Sequence, residues 1–157
     1  MWKKFKPYVI SIAVALGIGG LSALLTKDSM DIYSRIVQPP LSPPGWLFGV
    51  VWAILYALMG ISAAIVYSRS DAPEPQRRDA LAVYALQLAV NFFWSILFFN
   101  LQAFWFSFFW LLLLWILILR MLFKFYAVSP LAAYLQIPYF LWVTFAAYLN
   151  LAIAILN

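Results

Sequence analysis

The chain has 157 residues, of which 67% are hydrophobic, 20% aromatic and only 10% charged. Soluble domains average about half apolar and a quarter charged residues, so this composition excludes a soluble globular protein. The chain contains no cysteine and no histidine, which excludes disulfides, thiolate or imidazole metal ligands, cysteine nucleophiles and histidine-based catalysis. The net charge of +5 comes without a long basic run, so membrane topology explains it better than nucleic-acid binding.

Long uncharged stretches predict membrane-spanning helices of about 20 residues each. The third stretch, residues 80–119, is twice that length and has two amides within three positions, Asn100 and Gln102, so we divide it into a hairpin that turns there. The expected spans are residues 8–26, 46–68, 80–99, 103–123 and 131–156. The sequence therefore predicts an all-α, polytopic membrane protein, a five-helix bundle in a single membrane domain over residues 1–157.

The basic residues indicate the orientation of these spans. One side of a five-span chain holds Lys3, Lys4, Lys6, Arg69, Arg77, Arg78, Arg120 and Lys124. The other side holds only Lys27 and Arg35. Because Lys and Arg accumulate in short cytoplasmic loops, we expect a cytoplasmic N-terminus and a C-terminus outside. The first segment also has features of a secretory signal, but its apolar run exceeds the usual ~7 to 15 residues, and we predict a span.

Three expected helices each carry a one-sided row of aromatic and amide groups at helical spacing. The rows are Phe48, Trp52, Tyr56 and Met59; Gln87, Asn91, Trp94 and Phe98; and Tyr139, Trp142, Ala146 and Asn150. Because amides facing lipid would lack partners, Gln87, Asn91 and Asn150 should point inward. One interpretation is interhelical hydrogen bonding alone; the tryptophans on the same rows favour a pocket for a flat apolar ligand with a few polar atoms.

Two further features bear on function. No Asp, Glu, Lys or Arg lies in the middle of an expected span, which disfavours a pump or an ion-coupled transporter. The loop over residues 27–45 is long for a helical bundle, where about 2 to 8 residues are usual, and contains Pro39, Pro40, Pro43 and Pro44. Prolines fix φ and restrain the preceding residue, so we expect a stiff, extended lid over the bundle mouth; the alternative is a passive spacer.

Three blocks of the sequence resemble the translocator protein (TspO/MBR) family, also called tryptophan-rich sensory proteins or peripheral-type benzodiazepine receptors. The blocks are Pro43-Pro44-Gly45-Trp46-x-Phe48-Gly49-x-x-Trp52-x-x-Leu55-Tyr56-x-x-Met59-Gly60, then Tyr84-x-x-Gln87-Leu88-x-x-Asn91-x-x-Trp94-Ser95-x-x-Phe98-Phe99, then Ile137-Pro138-Tyr139-x-x-Trp142-x-x-Phe145-Ala146-x-x-Leu149-Asn150. Their order and spacing make the resemblance to this family specific, and the resemblance to a bacterial member implies a location in the bacterial plasma membrane.

The resemblance implies a homodimeric bundle that binds porphyrins such as protoporphyrin IX, and similar hydrophobic small molecules, beneath the first loop. Porphyrin would be a ligand or substrate, with no required cofactor, no metal and no nucleic acid. The residues that match the family's pocket are Tyr33, Pro43, Trp52, Asn91, Trp94, Trp142 and Ala146. The rows and blocks add Phe48, Tyr56, Gln87, Phe145 and Asn150 as expected ligand-binding residues.

The resemblance also implies a chemical role for two tryptophans. In some bacterial members, residues matching Trp52 and Trp142 support light- and oxygen-dependent breakdown of protoporphyrin IX, so these two are the candidate catalytic residues. The alternative is a translocator that exchanges porphyrin or small lipids passively. The chain departs from the family at Leu41, where a tryptophan is common, and has no Lys or Arg after Lys124, so the basic end of the cholesterol-recognition motif of animal members is missing.

Overall fold

Five long helices carry most of the chain in the computed structural model, which describes residues 2–29 and 31–157. The helices are α1 (Trp2–Thr26), a short α2 (Ile32–Arg35), α3 (Gly45–Ser68), α4 (Glu74–Ser95), α5 (Phe104–Val128) and α6 (Pro130–Leu156). All but α2 belong to segments long and apolar enough to cross a membrane. No strand occurs within the two described ranges. The prediction of an all-α, five-helix membrane protein is confirmed.

The helices extend beyond the apolar stretches on the side that carries most of the basic residues. We expected the third span to begin at Ala80, but α4 begins at Glu74, directly after Pro73. Similarly, α5 continues past Lys124 to Val128. A hydropathy pattern marks only the part of a helix inside hydrocarbon, whereas backbone hydrogen bonding continues into the polar interface. The charged ends of these helices therefore lie outside the apolar stretches.

The connection between α4 and α5 lies where the two amides divide the third apolar stretch. The last turn of α4 widens into a π-helical segment, Ile96–Asn100, and α5 begins at Phe104. Gln102 adopts a left-handed backbone with φ of 51°, which is uncommon outside glycine. The Asn100 side-chain amide donates to the Leu25 carbonyl oxygen at 3.0 Å. The tight hairpin turn is thus tied to the end of α1.

The bundle is assembled from a chain of neighbouring helix pairs. Helix α1 packs on α3, α3 on α6, α6 on α5, and α5 on α4. Because successive spans alternate in direction, α4 and α6 run parallel to each other. The hydrogen bond from Tyr139 to Gln87 and that from Trp94 to Asn150 join these two helices at two levels. Their inward-facing rows are consequently held in register.

Glycine allows α1 and α3 to approach closely at two points. A Cβ atom at Gly60 would lie 2.6 Å from the Ile12 Cα, and one at Gly19 would lie 2.5 Å from the Tyr56 ring. At the first point the Ser11 hydroxyl also donates to the Gly60 carbonyl oxygen at 2.7 Å. Small residues commonly permit such contacts between membrane helices. The α1–α3 pair therefore depends on the missing side chain at Gly60.

Replacing Gly60 with leucine should separate α1 from α3, because the new side chain would overlap backbone atoms of Ile12. Overpacking of this kind costs roughly 3 kcal/mol, and we expect a clearly lower midpoint of thermal unfolding in detergent. The matched control is Gly17→Leu, since a Cβ atom at Gly17 meets nothing within 4 Å. Equal midpoints for the two variants would contradict the close contact.

Candidate ligand-binding site

A cavity of about 540 Å³ lies between α1, α3, α4 and α6, below the loop that joins α1 to α3. This volume is within the ~300 to 1,000 Å³ typical of small-molecule sites. Predicted residues that line it are Tyr33, Phe48, Trp52, Tyr56, Trp94, Trp142, Ala146 and Asn150. The three rows expected from helical spacing therefore each contribute to one cavity.

Aromatic rings from α3 and α6 form one wall of the cavity. The rings of Trp52 and Trp142 have centroids 6.5 Å apart and are nearly perpendicular, at 89°. Phe48 packs edge-on against Trp142 at 5.8 Å, and Tyr33 from α2 packs edge-on against Phe48 at 5.0 Å. Such T-shaped contacts place the positive edge of one ring against the negative face of another. They hold the two indoles in fixed orientations beside the cavity.

Asn150 connects three helices at the cavity wall. Its side-chain oxygen accepts from the Trp94 indole N–H at 3.0 Å and from the Ser107 hydroxyl at 3.2 Å. Its side-chain nitrogen donates to the Phe104 carbonyl oxygen at 2.9 Å. Asn150 is buried, with 1% of its surface exposed, so these bonds replace the water that the amide cannot reach. The amide positions the Trp94 indole.

The other two amides hold tyrosines and do not contact the cavity. The Tyr139 hydroxyl donates to the Gln87 side-chain oxygen at 2.6 Å, and the Asn91 side-chain nitrogen donates to the Tyr56 hydroxyl at 3.2 Å. Neither Gln87 nor Asn91 is among the residues that line the cavity. For these two residues the arrangement corresponds to the interhelical hydrogen-bonding interpretation. Asn91 contributes to the cavity indirectly, because it positions the aromatic side chain of Tyr56.

Pro43 and Phe145 also lie one layer away from the cavity. The Pro43 carbonyl oxygen accepts a hydrogen bond from the Tyr33 hydroxyl at 2.9 Å, and the Phe145 ring lies 5.7 Å from the Trp142 ring. Each therefore supports a residue that lines the cavity. Burial raises the pKa of Tyr33 above its ordinary value, so at neutral pH its hydroxyl keeps the proton that it donates to the loop.

The loop above the cavity is pinned at several points. The Asn157 side chain accepts from the Val37 backbone N–H at 3.1 Å and donates to the Val37 carbonyl oxygen at 2.9 Å. The Tyr148 hydroxyl donates to the Pro40 carbonyl oxygen at 2.7 Å. We expected an extended segment, but the chain turns at Leu41, where φ is 71°. The prolines thus flank a tight turn held against α6.

Much of the remaining wall comes from α1, which the sequence patterns did not mark as part of a site. The lining residues from α1 are Leu16, Gly19, Gly20, Ser22, Ala23 and Thr26, and Lys27, directly after the helix, also lines the cavity. Most are small, and small residues in a membrane span usually indicate only close helix packing. The π-helical end of α4 adds Phe99 beside Phe98, which belongs to the expected row, and α6 adds the aliphatic residues Leu149 and Ile153. Aliphatic and small residues of this kind carry no functional signal in a membrane span.

Comparison with known proteins gives the same assignment as the residue blocks. The model of the TspO/MBR family matches residues 9–156. This chain belongs to the TspO/MBR family. It is 36% identical over 148 residues to the tryptophan-rich protein TspO of Chlorobaculum tepidum, covering 94% of this chain and 92% of that protein. Further relatives are the tryptophan-rich protein TspO of Archaeoglobus fulgidus, at 35% identity with 95% of each chain covered, and the translocator protein of Bos taurus, at 31% with 92% and 88% covered.

Membership in the TspO/MBR family confirms the family identification made from the three residue blocks. It also accords with the long apolar helices, which make the chain an integral membrane protein. Two relatives are named for sensing or translocation: the tryptophan-rich sensory protein of Cereibacter sphaeroides and the translocator protein of Bos taurus. The family therefore gives the class of function, and the cavity gives the place to look for a ligand.

Asn150→Leu should weaken the bundle, because it removes three interhelical hydrogen bonds and leaves the Trp94 indole N–H without its partner. At ~0.6 kcal/mol for an average bond and up to ~1.7 kcal/mol for the strongest, we expect a loss of about 2 kcal/mol. Thermal unfolding in detergent measures it. The control Asn100→Leu removes one exposed bond and should cost much less; equal losses would contradict the central role of Asn150.

Proposed function

We propose that this protein is a membrane receptor or sensor that binds porphyrins such as protoporphyrin IX, and similar flat apolar ligands, in the cavity under the α1–α3 loop. The observation that carries the proposal is the convergence of Trp52, Trp94 and Trp142 on one cavity of about 540 Å³. Large aromatic faces beside an apolar space suit a planar macrocycle better than they suit flexible acyl chains.

The energetics favour a ligand of modest affinity. A porphyrin dissolved in the bilayer has already left water, so burial of apolar surface adds little to its binding. The difference from lipid must come from ring contacts, at ~0.5 to 1.5 kcal/mol for each aromatic pair. Two or three such contacts give roughly 1 to 4 kcal/mol over lipid. Specificity then depends on the fixed orientation of the indoles.

One polar group of the cavity is suited to orient a ligand. The Trp142 indole nitrogen is buried and has no hydrogen-bond partner among the described residues. A buried donor without a partner costs free energy, and a ligand that carries an acceptor atom would remove this cost. At the loop end of the cavity, Lys27 supplies a positive charge. The carboxylates of a porphyrin would lie there, with a gain of ~0 to 1 kcal/mol for an exposed ion pair.

We also propose how the site is covered and how the protein lies in the membrane. The loop over residues 27–45 acts as the lid of the cavity, held by Tyr148 and Asn157. The protein lies in a bacterial plasma membrane as a homodimer, with the N-terminus in the cytoplasm and the C-terminus outside. The orientation rests on the basic residues, because Lys and Arg accumulate in cytoplasmic loops. Eight of them lie on one side, and only Lys27 and Arg35 lie on the other. Residues 1–157 act as a single membrane domain.

Removing either indole should weaken porphyrin binding. We expect Trp142→Leu and Trp52→Leu to lower the affinity for protoporphyrin IX about threefold to tenfold, which corresponds to one or two lost ring contacts. Titration of the purified protein, followed by quenching of tryptophan fluorescence, measures the affinity. The control is Trp46→Leu, because Trp46 is 70% exposed and does not line the cavity. Equal affinities for the three variants would contradict porphyrin binding in this cavity.

The paired indoles also favour a second activity, light-dependent breakdown of the bound porphyrin. Trp52 and Trp142 lie beside each other at the cavity, where an indole can donate an electron to a light-excited pigment. In this hypothesis the pigment supplies the photochemistry and the protein supplies its position. Oxygen is the net oxidant: it accepts the electron from the reduced pigment, and oxidation of the pigment by the reduced oxygen and the indole radical returns an electron to the indole.

Illumination in air tests the second activity directly. We expect Trp52→Phe and Trp142→Phe to slow the bleaching of protein-bound protoporphyrin IX several-fold, as phenylalanine keeps a ring but is a poorer electron donor. Absorbance spectra follow the pigment, and porphyrin must be saturating so that affinity does not enter. Trp46→Phe is the matched control. Equal bleaching in every variant, at the rate of free pigment in detergent, would exclude the enzymatic activity while leaving the binding proposal intact.

A further inference from the structure

The cavity has a wall that is partly open on the side of α1 and α3. Of its lining residues, Leu16, Gly20 and Ala23 on α1 and Gly49 and Ala53 on α3 are exposed. We call the gap between these five residues the α1–α3 slot. Apart from Leu16, they are the smallest residues available, so their side chains do not fill it.

The glycines show where the two helices touch and where they part. Near the middle of the pair, Gly60 and Gly19 leave no room for a Cβ atom. Closer to the loop, a Cβ atom at Gly20 or Gly49 would meet nothing within 4 Å. Helices α1 and α3 therefore contact each other at Gly60 and again at Gly19, and the slot is the open space beside the second contact, where Gly20 and Gly49 have no side chains to fill it.

Hydrogen bonds close other sides of the cavity. The loop above it is fastened to α6 through Asn157 and Tyr148. On the opposite wall, Trp94 is bonded to Asn150 across α4 and α6, and Tyr56 is bonded to Asn91 across α3 and α4. Opening any of these sides would break hydrogen bonds between polar groups, whereas the side chains of the slot residues Leu16, Gly20, Ala23, Gly49 and Ala53 have no polar atoms.

We infer that hydrophobic ligands enter and leave the cavity sideways, from the lipid leaflet on the loop side, through the α1–α3 slot. This inference rests on the proposed ligand-binding function. The slot lies within two segments long and apolar enough to span a membrane, Trp2–Ser29 and Gly45–Ser68, so the medium outside it is acyl chain and not water. A ligand taking this route keeps its apolar surface out of water throughout.

The polarity along the slot also fits a ligand that lies in a leaflet. Its inner end is at Leu16, well inside the apolar stretch, and its outer end leads to Lys27 beside the loop. An amphiphilic ring compound in the leaflet has its carboxylates at the headgroups and its apolar body among the chains. Such a molecule reaches the cavity already oriented, with its anionic end next to Lys27.

The absence of cysteine from the sequence permits a clean test by chemical plugging. Gly20→Cys introduces the only thiol at the slot, and Gly17→Cys introduces one on the same helix at a position that does not line the cavity. Each variant, reconstituted in phosphatidylcholine vesicles and loaded with protoporphyrin IX, is treated with benzyl methanethiosulfonate. Release into excess empty vesicles is then followed by recovery of tryptophan fluorescence. Dithiothreitol removes the label and provides the reversal.

Labelled Gly20→Cys should release porphyrin about tenfold more slowly than labelled Gly17→Cys, and dithiothreitol should restore the rate. Loading before labelling separates a plugged exit from competition for the cavity, because a competitor would not slow release. Equal or faster release from labelled Gly20→Cys would overturn lateral exchange; faster release from Asn157→Ala would then indicate passage through the loop. No saturable quenching in the unlabelled wild type would instead overturn the proposed function itself.

Discussion

The structure depends on pairing polar side chains with one another inside a bilayer that offers them no water. The hydrogen bonds of Asn150, and the bonds Tyr139–Gln87 and Asn91–Tyr56, join α3, α4, α5 and α6. Each is worth little by itself, on the order of 0.6 kcal/mol. Their value lies in direction, since van der Waals contact between apolar helices would allow many rotations about each axis.

The cavity follows from that fixed rotation. With α4 and α6 held in register, the indoles of Trp94 and Trp142 come to the same interior space as Trp52 of α3. Edge-to-face contacts then set the angle of each ring. Without these constraints, the same helices would pack closely around aliphatic side chains, because protein interiors are densely packed. Rigid aromatic groups that cannot collapse into the gap keep it open.

Much of this arrangement could be predicted from the sequence, and for identifiable reasons. Hydropathy gives the spans because no irregular backbone can face lipid, and a 3.6-residue period puts Phe48, Trp52 and Tyr56 on one face. The same period could not separate Asn150, which lines the cavity, from Gln87, which lies behind it. Both are buried amides, and the difference arises from which neighbour each one meets across the helix pair.

The contribution of α1 lay beyond sequence reasoning. Its wall is made mostly of small residues, whose usual meaning in a membrane span is close packing. Gly19 does pack closely, against Tyr56, whereas the next residue, Gly20, borders open space. A pattern of small side chains does not tell how far the neighbouring helix stands. The bend of the loop at Leu41 could not be predicted either, because leucine has no preference for the left-handed backbone conformation that it adopts there.

The contact at Gly60 also sets the mechanics of α1. From Ile12, which touches Gly60, to Gly20 at the slot is a lever arm of about 12 Å at ~1.5 Å rise per residue. Rocking α1 by about 5° around that fulcrum changes the width at Gly20 by roughly 1 Å, and membrane helices differ in tilt by more than this, about 0 to 40°. Such a tilt would also have to displace the Tyr56 ring beside Gly19 and the hydrogen bond from Asn100 to Leu25, so these two contacts limit how far the loop end of α1 can move.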